Sequence, residues 1–262
     1  MLEVIDKGSA TESHPVPLLF VHGAWHAAWC WDENFLDFFA DKGFRAVAVS
    51  LRGHGGSQVP RSVRTSMADY VDDVALVAKG LPSPPVMIAH SMGGFVVQHY
   101  LQSYAAPAAV LMASTPPQGS IKYVMRQFKR DPWRAILTYM SGKSLRLVGG
   151  TPALARENFF SAQTPEDLVA RYAARLQEER GAKWAFDQMF LSRPTPERVT
   201  TPMLVLGGEC DGSITQAEVR ATAQAYRTDA EFFPGVAHAM MLEPGWQAVA
   251  ERIDGWLTGR GL

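Results

Sequence analysis

Ser91 is the residue of this sequence best suited to act as a nucleophile. It lies in residues 88–94 (IAHSMGG), between a short apolar run and a segment with helical spacing. Small residues two positions before and two positions after a serine permit a strained turn that exposes the hydroxyl, and Ala89 and Gly93 are both small. A serine before a helix is also a common N-cap. The pattern alone therefore leaves a catalytic and a structural role open.

Two later residues are suited to assist such a nucleophile. Asp211 ends residues 207–211 (GGECD) and His238 lies in residues 236–240 (VAHAM), each after a short apolar run. A histidine can take the proton of a serine hydroxyl, and a carboxylate can orient the imidazole. An acid in a turn is commonly only solvated, and a lone histidine beside apolar residues is commonly structural. The chain order Ser91, Asp211, His238, each after a predicted strand, favours catalysis.

Two backbone N–H groups are predicted to stabilise an oxyanion. Residues 22–25 (HGAW) directly follow an apolar run, and Gly23 permits a tight turn, so the N–H of Ala24 can point at a developing negative charge. The N–H of Met92, at the start of the helix predicted after Ser91, can donate to the same oxygen. An ordinary strand-to-loop turn explains residues 22–25 equally well.

Strands and helices alternate along most of the chain. Strands are predicted at residues 17–21, 45–50, 85–89, 108–113, 203–206 and 231–233, and helices at residues 31–42, 66–79, 93–103, 216–226 and 246–256. Two capping boxes support the helix starts, Ser66 with Asp69 and Thr215 with Glu218. The alternation predicts an α/β fold with a mostly parallel sheet covered on both faces, whose ligand site lies at the carboxyl ends of the strands.

The alternation stops between residues 116 and 198. This segment has several helical stretches and no convincing strand; Thr164 is predicted to cap one helix, with Pro165 at its first position. We therefore predict a core formed by residues 1–115 and 199–262, and an inserted helical cap, or lid, at residues 116–198.

A cap over a serine site is normally apolar inside, so an apolar acyl or alcohol group is expected in the substrate. For any one large residue of the cap, a place in the cap's own core is the simpler explanation. The residues predicted to contact substrate are Trp25, Phe95, Met125, Phe128, Trp133, Tyr139, Trp184 and Met240.

Composition narrows the class of protein. The chain has 262 residues, 47% of them hydrophobic, which is enough for a sizeable core, and 25 basic against 26 acidic residues. No patch of like charge stands out, so a nucleic-acid partner is not expected. Cys30 and Cys210 form no metal pattern. The first twenty residues lack a basic start and a long apolar run, so we expect neither a secretory signal nor a membrane segment. We expect a cytoplasmic protein without membrane insertion, a small-molecule ester as partner, and leave the oligomeric state open.

Residues 22–25, Ser91, Asp211 and His238, in this order after strands, closely resemble the α/β-hydrolase superfamily over nearly the whole chain. The resemblance implies an α/β-hydrolase fold and a carboxylesterase-like serine hydrolase (EC 3.1.1 type) that needs no metal or organic cofactor. It also favours Asp211 over Glu209 as the acid, because the related pattern places the acid at the end of this loop.

The chain departs from the superfamily pattern at two positions. Ala89 stands where the serine turn usually has glycine, and Ser50 stands where an aspartate is usual before the loop at residues 52–57 (RGHGGS). One extra methyl group at residue 89 can tilt the turn but does not remove the nucleophile. Three nearby residues are interpreted as structural: Arg52, His54 and His90.

Several reactions remain open on this set of residues. Ser91 argues against relatives with an aspartate nucleophile, namely haloalkane dehalogenases and epoxide hydrolases, and Ala239 argues against hydroxynitrile lyases, which resemble the chain but place lysine after the histidine. A carboxylesterase is the main expectation. The alternatives are a carbon–carbon bond hydrolase, weakened by the lack of a tryptophan just beyond His238, a lactonase, a thioesterase, a cofactor-free perhydrolase or haloperoxidase, and a non-catalytic ligand-binding scaffold.

Overall fold

A seven-stranded sheet forms the centre of the molecule. The computed structural model describes residues 1–59, 65–141, 143–179 and 192–262. The strand order is β1-β3-β2-β4-β5-β6-β7, with β1 antiparallel to β3 and all other neighbours parallel. The strands are β1 (Val4–Lys7), β2 (Leu18–Val21), β3 (Ala46–Val49), β4 (Val86–His90), β5 (Ala109–Met112), β6 (Met203–Gly208) and β7 (Ala230–Phe233). The predicted, mostly parallel sheet is confirmed.

Helices cover both faces of this sheet. In chain order they are α1 (Trp29–Asp32), α2 (Phe35–Asp41), α3 (Met67–Lys79), α4 (Met92–Tyr100), α5 (Ile121–Arg130), α6 (Pro132–Ser141), α7 (Leu145–Val148), α8 (Pro152–Phe159), α9 (Glu166–Ala173), α10 (Gln216–Ala225) and α11 (Trp246–Thr258). One hydrophobic cluster packs α1, α2 and α11 on one face, and a second packs α3, α4 and α10 on the other. Strands β2 to β5 are consequently buried throughout, which explains their continuous apolar runs.

Helices α5 to α9 lie between β5 and β6, where the sequence predicts an insertion. Among the described residues of this segment, called the insertion below, there is no strand. The assignment of the insertion as a separate cap domain remains a prediction.

The two predicted capping boxes are confirmed at Ser66 and Thr215, but other local predictions differ. The helix predicted at residues 31–42 is two helices, α1 and α2. Strand β1 was not predicted, because it is a short edge strand with alternating partial exposure. Thr164 does not cap α9; Pro165 holds that position, and the Thr164 hydroxyl donates instead to the buried carboxylate of Glu243. A distant carboxylate thus replaces the local backbone N–H as the partner of this hydroxyl.

Helix α4 packs unusually close to the sheet at Gly93. A Cβ atom at this position would lie 2.4 Å from the carbonyl oxygen of His22 and 2.5 Å from that of Val21, which are backbone atoms at the end of β2. Real Cβ atoms do not approach other heavy atoms this closely, so the position requires glycine. The start of α4, and with it the turn before it, is therefore fixed by contact with a neighbouring strand.

We predict that Gly93→Ala destabilises the protein by about 3 kcal/mol, because backbone cannot move aside as a flexible side chain does. Gly255→Ala in α11 is the matched control: nothing lies within 4 Å of the added Cβ. The control should stabilise the protein by roughly 0.5–1 kcal/mol, since alanine is the better helix former. Urea unfolding of both variants measures the difference; equal effects would contradict the close contact at Gly93.

Candidate active site

Ser91 occupies a sharp turn between β4 and α4. Its backbone has φ 52° and ψ −117°, a conformation that non-glycine residues rarely adopt. Ala89, the departure from the usual glycine, is fully buried in β4 opposite Val21 and Leu111, and the turn forms with alanine there. Ser91 accepts no helix-capping hydrogen bond on its side chain, so the structural role of an N-cap does not explain it.

The structure brings Ser91, Asp211 and His238 together. The Ser91 Oγ lies 3.0 Å from Nε2 of His238, and Nδ1 of His238 lies 2.8 Å from Oδ2 of Asp211. A carboxylate can only accept, so Nδ1 carries the proton and Nε2 is left as an acceptor for the serine hydroxyl. This is the geometry in which a histidine can take a proton from a serine.

The carboxylate of Asp211 is fixed from its other side. Its Oδ1 accepts hydrogen bonds from the backbone N–H groups of Ser213 at 2.7 Å and of Ile214 at 2.9 Å, while Oδ2 receives His238. Both the Asp211 and the His238 side chains are almost completely buried. The acid therefore has one available orientation, and that orientation sets the imidazole tautomer.

The loop at residues 22–25 approaches Ser91 closely. A Cβ at Gly23 would lie 2.7 Å from Nδ1 of His90 and 3.0 Å from the Cβ of Ser91, so only glycine permits the approach. Ala24 follows directly, and Met92 is the first residue of α4, where an N–H group has no partner within the helix. The two N–H groups predicted to hold an oxyanion therefore belong to the loop that contacts Ser91 and to the first turn of α4.

Three further histidines around this site are held neutral. Burial lowers the pKa of His22 and His90 well below the ordinary value and lowers that of His26 to about 4, and neighbouring imidazoles add to the effect. His90 also donates from Nε2 to the carbonyl oxygen of His238 at 2.9 Å. The His90 ring also packs 4.6 Å from the His238 ring between centroids, so it positions His238 without placing a positive charge beside it, in keeping with the structural role predicted for His90.

The insertion is hydrogen-bonded to the loops that carry Asp211 and His238. The N–H of Ala239 donates to the carbonyl oxygen of Phe159 at 2.9 Å, and the hydroxyl of Ser213 donates to that of Asn158 at 2.8 Å. The Phe159 ring lies 5.9 Å from the His238 ring between centroids. The end of α8 thus contacts both loops.

Glu243 provides a second, fully buried connection. One oxygen accepts from the N–H of Ser161 at 2.9 Å and from the hydroxyl of Thr164 at 2.7 Å, and the other accepts from the N–H of Ala237 at 3.3 Å. A single carboxylate therefore joins the insertion to the residue next to His238.

Glu179 joins the insertion to two loops of the core, at residues 22–25 and at residues 52–57. Its Oε1 accepts from the N–H of Trp25 at 2.7 Å and lies 2.9 Å from Nε2 of His54. Gln177 adds two bonds, donating from its N–H to the carbonyl of Trp25 and accepting from the N–H of Gly55. His54 is thus structural, as predicted, and so is Arg52, which pairs with Asp69 and Asp73.

The predicted substrate-contact residues fall into separate regions. Trp25 is half-buried, 5.8 Å from the Phe159 ring, whereas Phe95 and Met240 are fully buried in the two cores. Met125, Phe128 and Trp133 are 53%, 39% and 77% exposed, so they do not line a closed pocket. Two predictions are untested, because Tyr139 has no described side chain and Trp184 lies outside the described residues.

Three residues at this site were missed by the sequence analysis: Phe159, Glu179 and Glu243. Each of them contacts a residue that lies more than seventy positions away in the sequence, and none belongs to a local motif. Among the described residues, no group of three or more His, Cys, Asp or Glu side chains could hold a metal ion.

Comparison with known proteins identifies the family. A family model described as the alpha/beta hydrolase family matches residues 18–252. The chain belongs to this family. The alpha/beta hydrolase fold accounts for the strand order and for the serine turn after β4.

The relatives of this alpha/beta hydrolase include more than one activity. It is 25% identical to a monoacylglycerol lipase of Mycolicibacterium smegmatis over 84% of this chain and 80% of the relative. It is 28% identical to a non-heme chloroperoxidase of Burkholderia pyrrocinia, covering 86% of each. The solved structure of a thermophilic esterase from Thermogutta terrifontis superposes with a TM-score of 0.78 at 21% identity, over 100% of this chain and 94% of that one, which shows the shared fold.

The His54–Glu179 pair makes the stability of this hydrolase depend on pH. Burial opposes a charged His54, but the Glu179 carboxylate outweighs that cost and raises the pKa of His54 above its ordinary value. The stabilising effect is therefore complete below the unfolded-state pKa of about 6.5 and is lost as the pH rises through the higher folded-state pKa.

We predict that Glu179→Gln reverses this dependence. The amide oxygen can still accept from Trp25, but no carboxylate then offsets burial, the largest influence on His54. Its pKa falls below the ordinary value, so the variant gains stability as the pH rises up to about 6.5. Urea unfolding of both proteins from mildly acidic to mildly alkaline pH measures the difference. Parallel curves for the two proteins would show that the pair contributes nothing to the pH dependence.

Proposed function

We propose that this protein is a serine hydrolase that cleaves carboxylic esters through an acyl-enzyme. The observation that carries the proposal is the continuous hydrogen-bonded chain from Ser91 through His238 to Asp211, at 3.0 and 2.8 Å. A structural role for the serine does not require a buried histidine and a buried carboxylate aligned behind it.

In the proposed reaction, Oγ of Ser91 attacks the ester carbonyl carbon while Nε2 of His238 takes its proton. Asp211 holds the imidazole and stabilises the imidazolium. The alcohol leaves with the proton from His238, and the acyl group remains on Ser91. His238 then deprotonates water, which releases the acid and restores the serine hydroxyl. The N–H groups of Ala24 and Met92 hold the oxyanion in both steps, each worth roughly 3 kcal/mol.

An apolar acyl or alcohol group is proposed for the substrate. The aromatic rings of Trp25 and Phe159 lie 5.8 Å apart between centroids, and Phe159 is close to His238. Aromatic faces beside the reacting carbonyl favour an apolar group over a charged one. We assign this contact to Trp25 and Phe159, and not to the exposed side chains of α5 and α6.

A perhydrolase reaction is the second candidate, because the chain is similar to a non-heme chloroperoxidase over most of its length. The acyl-enzyme is the same, and hydrogen peroxide replaces water as the acyl acceptor. His238 takes a proton from the peroxide, and the peroxide oxygen forms the new bond to the acyl carbon. The bond from that carbon to Oγ of Ser91 then breaks, His238 returns the proton to Oγ, and a peracid leaves. Peracid formation from an ester and hydrogen peroxide distinguishes this reaction from hydrolysis alone.

We predict that Asp211→Asn lowers kcat for p-nitrophenyl esters by about 10⁴-fold with little loss of stability. The backbone donors of Ser213 and Ile214 require an oxygen at Oδ1, so the new NH₂ group must face His238. Nδ1 of His238 then has to accept this hydrogen bond, so the imidazole proton moves to Nε2. A protonated Nε2 cannot take the proton of the Ser91 hydroxyl. A drop of less than tenfold would argue against the proposed role of the acid.

A fluorophosphonate probe tests the nucleophile directly. We expect the wild-type protein to be labelled on Ser91, and Ser91→Ala to be neither labelled nor active on esters, because the probe reacts only with an activated serine. His238→Ala should fold normally and lose nearly all turnover. Equal labelling of wild type and Ser91→Ala would overturn the assignment.

A panel of ester chain lengths, lactones and thioesters on the same proteins identifies the substrate class.

A further inference from the structure

Helix α6 turns its apolar side away from the protein. Trp133, Ile136, Leu137 and Met140 are spaced i, i+3, i+4 and i+7, so they form one face of the helix. Their side chains are 77%, 39%, 65% and 80% exposed, whereas Ala135 is only 3% exposed. Such a stripe normally faces a core. Here the helix packs through a small residue and presents its large ones to solvent.

Helix α5 continues this surface. Met125 and Phe128 are 53% and 39% exposed, and α5 and α6 pack against each other. Nine large apolar side chains are substantially exposed in the described parts of the chain, and six of them lie on these two helices. We call this surface the α5–α6 face; it comprises Met125, Phe128, Trp133, Ile136, Leu137 and Met140. This clustering marks an interaction surface, because single exposed apolar residues are normally scattered.

The charge of the same segment is strongly positive. Residues 121–146 carry seven basic side chains and one acidic one, although the whole chain is nearly neutral. The expectation that no like-charge patch exists therefore does not hold for this segment. Three of the basic side chains are neutralised by ion pairs: Arg126 with Glu218, Arg130 with Glu157, and Arg134 with Asp131.

The other four basic side chains are Lys122, Lys129, Lys143 and Arg146. All are exposed and have no ion pair with another described residue. Lys122 and Lys129 lie three positions before and four positions after Met125, so they share its side of α5. Two unpaired cations therefore lie beside the apolar surface on α5, and Lys143 and Arg146 follow α6 in the sequence.

We propose that the α5–α6 face docks the protein peripherally on an anionic lipid surface. Apolar and aromatic side chains enter the boundary between headgroups and acyl chains, and the bordering lysines and arginine meet lipid phosphates. A second copy of the chain fits less well, since a symmetric contact would bring the four cations of each copy together. A nucleic acid would satisfy the cations but not the six apolar side chains.

The docking is peripheral because α6 is too short to span a bilayer. Ten residues of helix extend only about 15 Å, and no helix in the described ranges is both long and apolar enough to cross a membrane. Ser144 lies three positions beyond the end of α6, and its Oγ accepts a hydrogen bond from Nε1 of Trp25 at 3.0 Å. Docking would therefore hold the loop beside Ser91 near the lipid surface. The proposal does not depend on ester hydrolysis.

Vesicle flotation with the intact protein tests the proposal. We expect it to float with vesicles of phosphatidylcholine containing about one third phosphatidylglycerol, and to bind phosphatidylcholine alone much more weakly. Added salt should weaken the binding, since exposed charges are screened. Lys122→Gln/Lys129→Gln should reduce partitioning about thirtyfold, and Leu137→Ser/Met140→Ser should reduce it about tenfold or more.

Matched controls lie on α3, on another part of the surface. Leu76 is 65% exposed and Lys79 is exposed, so Leu76→Ser and Lys79→Gln repeat the same chemical changes outside the α5–α6 face. They should leave flotation unchanged, and thermal unfolding should show that all variants fold. Three results would overturn the proposal: no flotation of the wild type, equal loss in the controls, or a wild-type dimer that both α5–α6 double variants make monomeric.

Discussion

The backbone conformation of Ser91 is the constraint on which the rest of the site depends. A residue with side chain held at positive φ needs surroundings that leave it no alternative. Here the surroundings are β4 on one side, α4 pressed against the carbonyls of β2 at Gly93, and the loop of Gly23 in contact with the serine itself. The Ser91 hydroxyl lies at the carboxyl edge of the sheet because Gly93 lets α4 approach the end of β2 and Gly23 lets its loop approach Ser91.

The acid and the base are positioned by a different means. Their loops leave β6 and β7, and neither loop is fixed by the sheet alone. Backbone donors fix Asp211, while the insertion fixes the chain around His238 through the carbonyl of Phe159 and the carboxylate of Glu243. The insertion is thus part of what holds the base in place. The insertion also accepts, through Glu179, a hydrogen bond from the loop expected to hold the oxyanion.

Features that depend on local spacing could be predicted from the sequence. The capping boxes at Ser66 and Thr215, the mostly parallel sheet implied by alternation, and the placement of Ser91 and His238 after strands all follow from short patterns. Glu179 and Glu243 could not be predicted, because a carboxylate that bonds partners far along the chain looks the same as a solvated one. The exposure of Trp133, predicted to contact substrate, could not be predicted either: periodicity shows that a helix has an apolar side, and packing decides which way that side faces.

The anchoring of the insertion sets limits on recombining this protein with its relatives. Replacing residues 116–198 as a block would remove Phe159 and Ser161, leave Glu243 buried with fewer donors, and loosen the chain that carries His238. A buried carboxylate that loses its partners is costly. Exchanging only residues 121–146 would keep these connections, since none of them starts there. The natural boundary for a chimera thus lies within the insertion. On one side of it, among the described residues, only Arg126 and Ser144 must be retained, because they bond Ser213, Glu218 and Trp25 of the core. On the other side lies a segment that must be inherited together with the histidine loop.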